Sequence, residues 1–97
     1  MAAYFVIDLT VTDAEKMTEY VRRVEPLVAE FGGRFLAQGG EYDVMEGEWR
    51  PDVFVLIEFP GRAAIHRFFG SEEYQPLKAL RLASAKTNIA VAAEGRA

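Results

Sequence analysis

Apolar and polar residues alternate from the start of the chain. Across residues 4–11, Phe5, Ile7, Leu9 and Val11 fall on one face and Tyr4, Val6, Asp8 and Thr10 on the other. Period two with β-branched and aromatic side chains predicts a strand. Thr12 then stands three residues ahead of Glu15, the spacing of a capping box, so a helix is expected to begin there. Met17, Tyr20, Val21, Val24, Leu27, Val28 and Phe31 recur at intervals of three and four and form one apolar stripe. Pro26 lies inside the stripe and predicts a kink rather than an end. Gly32-Gly33 predicts the stop.

Residues 34–39 read as a second, short strand. Residues 41–50 hold Glu46-Gly47, a turn signal between two extended arms. The run Val53-Phe54-Val55-Leu56-Ile57-Glu58-Phe59 is apolar on both faces, which predicts a central strand. Pro60-Gly61 breaks it. Residues 63–69 predict a short helix that buries Ile65, Phe68 and Phe69. Ser71 can cap a turn, and a helix runs on through Leu77, Leu80 and Ser84 with Pro76 in its first turns. Residues 87–93 form the last strand, with Ile89 and Val91 on one face. The order is that of an α+β ferredoxin-like βαββαβ sandwich, an antiparallel sheet with its helices on one side. The helices cover one face only. The second face of the central strand needs another cover, and the expected cover is a second copy of the chain.

Composition narrows the classes. Ninety-seven residues make one domain, spanning 1–97. Hydrophobic residues at 51% and charged residues at 27% rule out disorder and collagen-like repeats. Cysteine is absent, which removes disulfides, thiolate zinc sites, iron–sulfur ligation and thiol nucleophiles, and fits a reducing cytoplasm. The N-terminal Met-Ala-Ala-Tyr-Phe-Val-Ile-Asp has neither the basic start nor the long apolar run of a signal peptide. No stretch has the length of a membrane span. A formal charge of −4 argues against a nucleic-acid partner. Neither glycine doublet has phosphate-binding spacing, and no serine-nucleophile motif is present.

The candidate chemistry lies on the sheet face away from the helices. Alternation assigns to it Tyr4, Val6 and Asp8, then Arg34, Leu36 and Gln38, then Phe54, Leu56 and Glu58, and finally Asn88, Ala90 and Ala92. Antiparallel pairing gathers Asp8, Gln38 and Asn88 at one end and Tyr4, Arg34 and Glu58 at the other. An apolar surface with a few convergent polar groups is the usual form of a small-molecule site. A carboxylate buried there is pushed up in pKa and can act as a base; alternatively, Asp8 and Asn88 bond each other or a partner's backbone. Glu58 is expected to pair with Arg34, within the chain or across a dimer. Arg81 can reach a substrate carboxylate, but a structural pair with Asp13 or Glu73 is the plainer expectation. Tyr74 offers a phenol to a pocket or packs its ring. Trp49, with Phe54 and Leu56, is a candidate interface residue, since tryptophan is enriched in interface hot spots. His66, the single histidine, is expected at the surface, and no metal or cofactor is expected.

The ordered series Tyr4, Asp13, Tyr20, Gly32-Gly33, Gly39-Gly40, Glu46-Gly47 with Trp49, Phe59-Pro60, Ser71-x-x-Tyr74-Gln75 and Arg81 resembles a family of small bacterial proteins, the domain of unknown function DUF1330. The resemblance covers nearly the whole chain. It implies the dimeric α/β barrel, in which two ferredoxin-like sheets pack face to face, and it implies no established activity. Related barrels include cofactor-free monooxygenases, lactone isomerases and haem-handling proteins. The chain departs from the family pattern at Gln38, where a basic residue is frequent, and at Phe68-Phe69, where Trp-Tyr is commoner. Together these point to a homodimer that binds a small molecule. The alternative is a cofactor-independent isomerase or monooxygenase, with Asp8 or Tyr74 carrying the proton and Arg81 or Asn88 holding the substrate anion. A purely structural dimer with a filled core is the third reading.

Overall fold

A computed structural model describes residues 1–96. The elements run β1 (Ala3–Val11), α1 (Ala14–Glu30), β2 (Arg34–Gln38), β3 (Val53–Phe59), α2 (Arg62–Gly70), α3 (Tyr74–Ser84) and β4 (Ala85–Glu94). The sheet order is β2-β3-β1-β4, and every pairing is antiparallel. This is the ferredoxin-like arrangement. The apolar run of β3 sits inside the sheet, as its two-faced composition requires.

Phe5, Ile7 and Leu9 of β1 and Val55, Ile57 and Phe59 of β3 point at the helices and are buried. They meet Tyr20, Val24, Leu27 and Val28 of α1, Ile65 and Phe68 of α2, and Tyr74 and Leu77 of α3. The stripe of α1 continues past Pro26 to Glu30. Gly32 then takes φ +82 and donates its N–H to Ala29 O, a left-handed stop that glycine tolerates best. Gly33 is held by close packing, because a Cβ there would lie 2.7 Å from Val28 and 2.9 Å from Phe59.

Local details differ from the sequence expectation in three places. The cap of α1 is Asp13, which accepts from Lys16 N at 3.1 Å, and not Thr12. The backbone N–H groups of both Thr12 and Asp13 donate to Ser84 O, at 2.8 and 3.0 Å, and this tie delays the helix by one residue. The second helical region falls into α2 and α3, as the restart at Ser71 predicts. Ser71 divides it, donating to Phe68 O at 2.8 Å and accepting from Tyr74 N at 3.2 Å. Residues 39–52 contain no strand arms and form an irregular loop. Its many acidic residues have no alternating apolar face to place on a sheet.

The third difference is a pair of β-bulges. The β1–β4 register shifts between Asp8, opposite Ile89, and Leu9, opposite Thr87. The β2–β3 register shifts between Phe35, opposite Ile57, and Ala37, opposite Leu56. Each shift inserts one extra residue and inverts the alternation beyond it. The open face of β4 therefore carries Ile89 and Val91, while Ala90 and Ala92 face the helices. Gln38 lies opposite Val55, off the open face.

Candidate functional site

Two polar clusters interrupt apolar surroundings. The first lies on the open face of the sheet, at the end where Asp8 was expected to meet Gln38 and Asn88. Asp8 is only 2% exposed. One of its carboxylate oxygens accepts from Trp49 Nε1 at 3.0 Å and the other from the Asp52 backbone N–H at 2.8 Å. Asn88, on the β4 bulge, donates to Thr10 Oγ1 at 2.8 Å, and Thr10 donates in turn to Asp52 Oδ2 at 2.5 Å. Asp8 and Asn88 thus belong to one network, joined through Thr10 and Asp52 rather than directly. Gln38 is outside it, because the β2 bulge turns it away, and it is exposed. The network fastens the loop 39–52 to the sheet. The loop is braced further by Tyr42, whose hydroxyl donates to Pro51 O at 2.6 Å.

Trp49 lies edge-on to Phe54, with ring centroids 6.0 Å apart, and remains 47% exposed in the single chain. Phe54 and Leu56 lie on the open face beside it and are partly exposed. At the opposite end of that face the expected trio forms. Arg34 Nε pairs with Glu58 at 2.9 Å within the chain, and the Tyr4 hydroxyl lies 3.4 Å from the same carboxylate.

The second cluster lies in the layer between sheet and helices. α1 supplies Tyr20, and α3 supplies Tyr74 and Arg81. The two phenol oxygens are 2.9 Å apart, and either can donate. Arg81 is 4% exposed. Its Nη1 donates to Thr87 Oγ1 at 3.2 Å, but its Nε has no hydrogen-bond partner among the described residues. The expected pair with Asp13 or Glu73 does not form. Asp13 faces Lys16 at 3.9 Å, and Arg81 belongs to none of the ion pairs among the described residues. The three side chains border a small, partly enclosed chamber of ≈ 30 Å³ whose other walls are apolar, among them Phe5, Ile7 and Phe68. Burial pushes the Tyr20 hydroxyl well above the usual phenol pKa. The adjoining Tyr74 adds to this, and Arg81 opposes it. The Arg81 guanidinium thus lies beside two phenols in an otherwise apolar hollow.

Tyr20 was visible in the sequence as one position of an apolar stripe and of the family series, but not as a site residue. The available signal was a tyrosine where phenylalanine or leucine would have served packing alone. Its partner is 54 residues away. His66 is exposed on α2, as expected. Among the described residues, no group of three His, Cys, Asp or Glu side chains is placed to hold a metal ion. No helix among them is long and apolar enough to cross a membrane.

The family model for a domain of unknown function, DUF1330, matches residues 2–95. The chain belongs to the DUF1330 family. Several solved structures share its fold. A protein of unknown function from Rhodopseudomonas palustris is 16% identical with a TM-score of 0.79, covering 99% of this chain and 83% of that one. A dimeric ferredoxin-like protein of unknown function from Jannaschia sp. CCS1 is 18% identical with a TM-score of 0.73, covering 98% of this chain and 100% of that one. SnoaB, a cofactor-independent oxygenase from Streptomyces nogalater, is 15% identical with a TM-score of 0.68, covering 99% of this chain and 94% of that one. At these identities the likeness is one of fold. No curated protein matches the sequence significantly. Membership of a domain of unknown function assigns no chemistry to these residues.

Proposed function

We propose that this DUF1330 chain is a homodimer that binds a small organic molecule between its sheet and its helices. The observation that carries the binding reading is Arg81, a buried guanidinium with an unpartnered Nε beside two bonded phenols. Such groups cost stability in an apolar interior. They are retained where a site needs them. On this reading the ligand site belongs to Arg81 and Tyr74, with Tyr20 behind them, and Asp8 serves the loop. The dimer is supported by the open face, where Val6, Phe54, Leu56, Ile89 and Val91 lack a cover of their own. The dimeric Jannaschia protein shares that fold.

A second reading, a cofactor-independent oxygenase or isomerase, is favoured by the same phenols. Tyr74 and Tyr20 can pass a proton between them, and Arg81 can stabilise negative charge developing on a substrate. The likeness to the cofactor-independent oxygenase SnoaB supports the oxygenase form of it.

Native mass spectrometry of freshly purified protein tests the main proposal. The expected species is twice 10.9 kDa with a small molecule bound. A monomer at micromolar concentration would overturn the dimer. A bare dimer that takes up nothing from a metabolite extract would overturn the binding. Leu56→Asp should yield monomer or unfolded chain, because an unpaired charge buried at the interface costs about 3–5 kcal/mol.

A further inference from the structure

We infer that the ligand is a flat aromatic carboxylate, with its anionic head at Arg81 and its apolar body in a groove between α2 and β4, and that Phe69 gates the passage between them. This rests on the reading of the interior as a ligand site. The planar fork of a guanidinium matches a carboxylate. The chamber beside it has room for about one water, too little for an organic ligand. A larger space lies just outside. Phe5, Ile65, Phe69, Ala90 and Ala92 wall a groove of ≈ 350 Å³, with Arg62 and His66 at its rim. That volume is within the range of small-ligand sites. The groove exists because the β4 bulge turns two alanines, and no larger residue, toward α2.

Phe5 borders both spaces. Phe69 lines the groove and lies against side chains that border the chamber. Its ring centroid lies 5.9 Å from that of Phe5, 5.5 Å from that of Tyr74, and 5.9 Å from the guanidinium carbon of Arg81. The ring is only partly buried, so a rotamer change can carry it outward. With the ring displaced, groove and chamber become one cavity, apolar along its walls and cationic at its inner end. In the closed state the Phe69 face supplies part of what Arg81 lacks. Lys78 Nζ, 4.8 Å from the same ring, keeps the surroundings positive. The groove lining contains no carboxylate, although Glu94 pairs with Arg62 at 3.4 Å at the mouth.

Naphthoate and its neutral counterpart naphthylmethanol are the probes, titrated into the full chain by calorimetry after removal of co-purified molecules. Naphthoate should bind at least about tenfold more tightly. Arg81→Met should abolish that preference while leaving naphthylmethanol bound. If Arg81→Met does not fold, Arg81→Lys should weaken naphthoate by about tenfold, since an ammonium lacks the fork. Phe69→Ala should speed naphthoate association with the anion preference intact. Equal affinity for the two probes, or naphthoate binding indifferent to Arg81, would overturn the anion assignment and leave the cavity reading standing. An unchanged association rate in Phe69→Ala would overturn the gate. Failure of both probes to bind wild type and Phe69→Ala alike would overturn the cavity reading itself.

Discussion

Asp8 and Arg81 are both ionisable and both nearly inaccessible, but their surroundings differ. Each oxygen of Asp8 receives an N–H, one from Trp49 and one from the Asp52 backbone. Arg81 has one bond to Thr87 and an Nε with nothing to donate to among the described residues. Most buried polar groups in folded proteins are satisfied, so the exception is the informative one. Burial by itself does not separate a structural residue from a functional one. The hydrogen-bond account does. Asp8 is satisfied within the folded chain, whereas Arg81 is left with a donor that, on the proposed function, a ligand completes.

The largest expected effect tests that contrast directly. Asp8→Ala strands two N–H groups and frees the loop, and should destabilise by about 3 kcal/mol, since bonds to a carboxylate are among the stronger ones. Arg81→Met removes a cation that has no counter-charge and should be within about 1 kcal/mol of wild type in ligand-free protein, or more stable. Urea melts of both variants decide it, and a loss at Arg81 as large as that at Asp8 would break the comparison.

A smaller effect concerns Tyr20. Its phenol is held protonated in the folded state above its ordinary value of 10.0. Below that value both folded and unfolded chains keep the proton, and the contribution is intact. Above it the unfolded chain ionises first and binds fewer protons, so stability falls as pH rises. The fall should approach about 1.4 kcal/mol per pH unit for this one group above that value. Equilibrium melts at alkaline pH should show Tyr20→Phe with a shallower decline than wild type. Parallel curves would mean that the phenol pair is not closed to solvent.

The smallest effect is at the exposed end of the Asp8 network. Thr10→Val keeps the shape and loses the bonds from Asn88 and to Asp52, which should cost about 1 kcal/mol. Amide hydrogen exchange should then rise in residues 39–52 and leave α3 unchanged. Faster exchange around Arg81 would show that the two clusters are coupled.

Much of this architecture was legible because it depends on period alone. β1 and β3 alternate plainly, the α1 stripe runs unbroken through Pro26, and Gly32 marks its end. The pairing of Arg34 with Glu58 followed from strand order. The predicted trio of Asp8, Gln38 and Asn88 failed because alternation is counted from a fixed start, and one extra residue inverts everything after it. Neither Leu36 nor Asn88 announces a bulge. The loop 39–52 was misread because Glu46-Gly47 has a turn's chemistry, and Gly47 does take φ +98, but no flanking residues can pair. Arg81 and Tyr74 were visible as candidates. Their arrangement with Tyr20 was not, since it depends on how α1 and α3 meet across the core.

The extra residue in β4 also bears on how this chain behaves in a crowd. β4 runs for ten residues along the outer edge of the sheet. A strand of that length offers free amides and carbonyls to any passing extended peptide, the geometry from which fibrils grow. The bulge at Asn88 breaks the regular row, and Lys86 beside it adds a charge that an invading strand would have to desolvate. Deleting Asn88 would join Thr87 to Ile89 in one uninterrupted ladder with both faces still correctly assigned. Such a chain would lose the Asn88–Thr10 bond and some stability with it, and would be expected to pair edge to edge when concentrated.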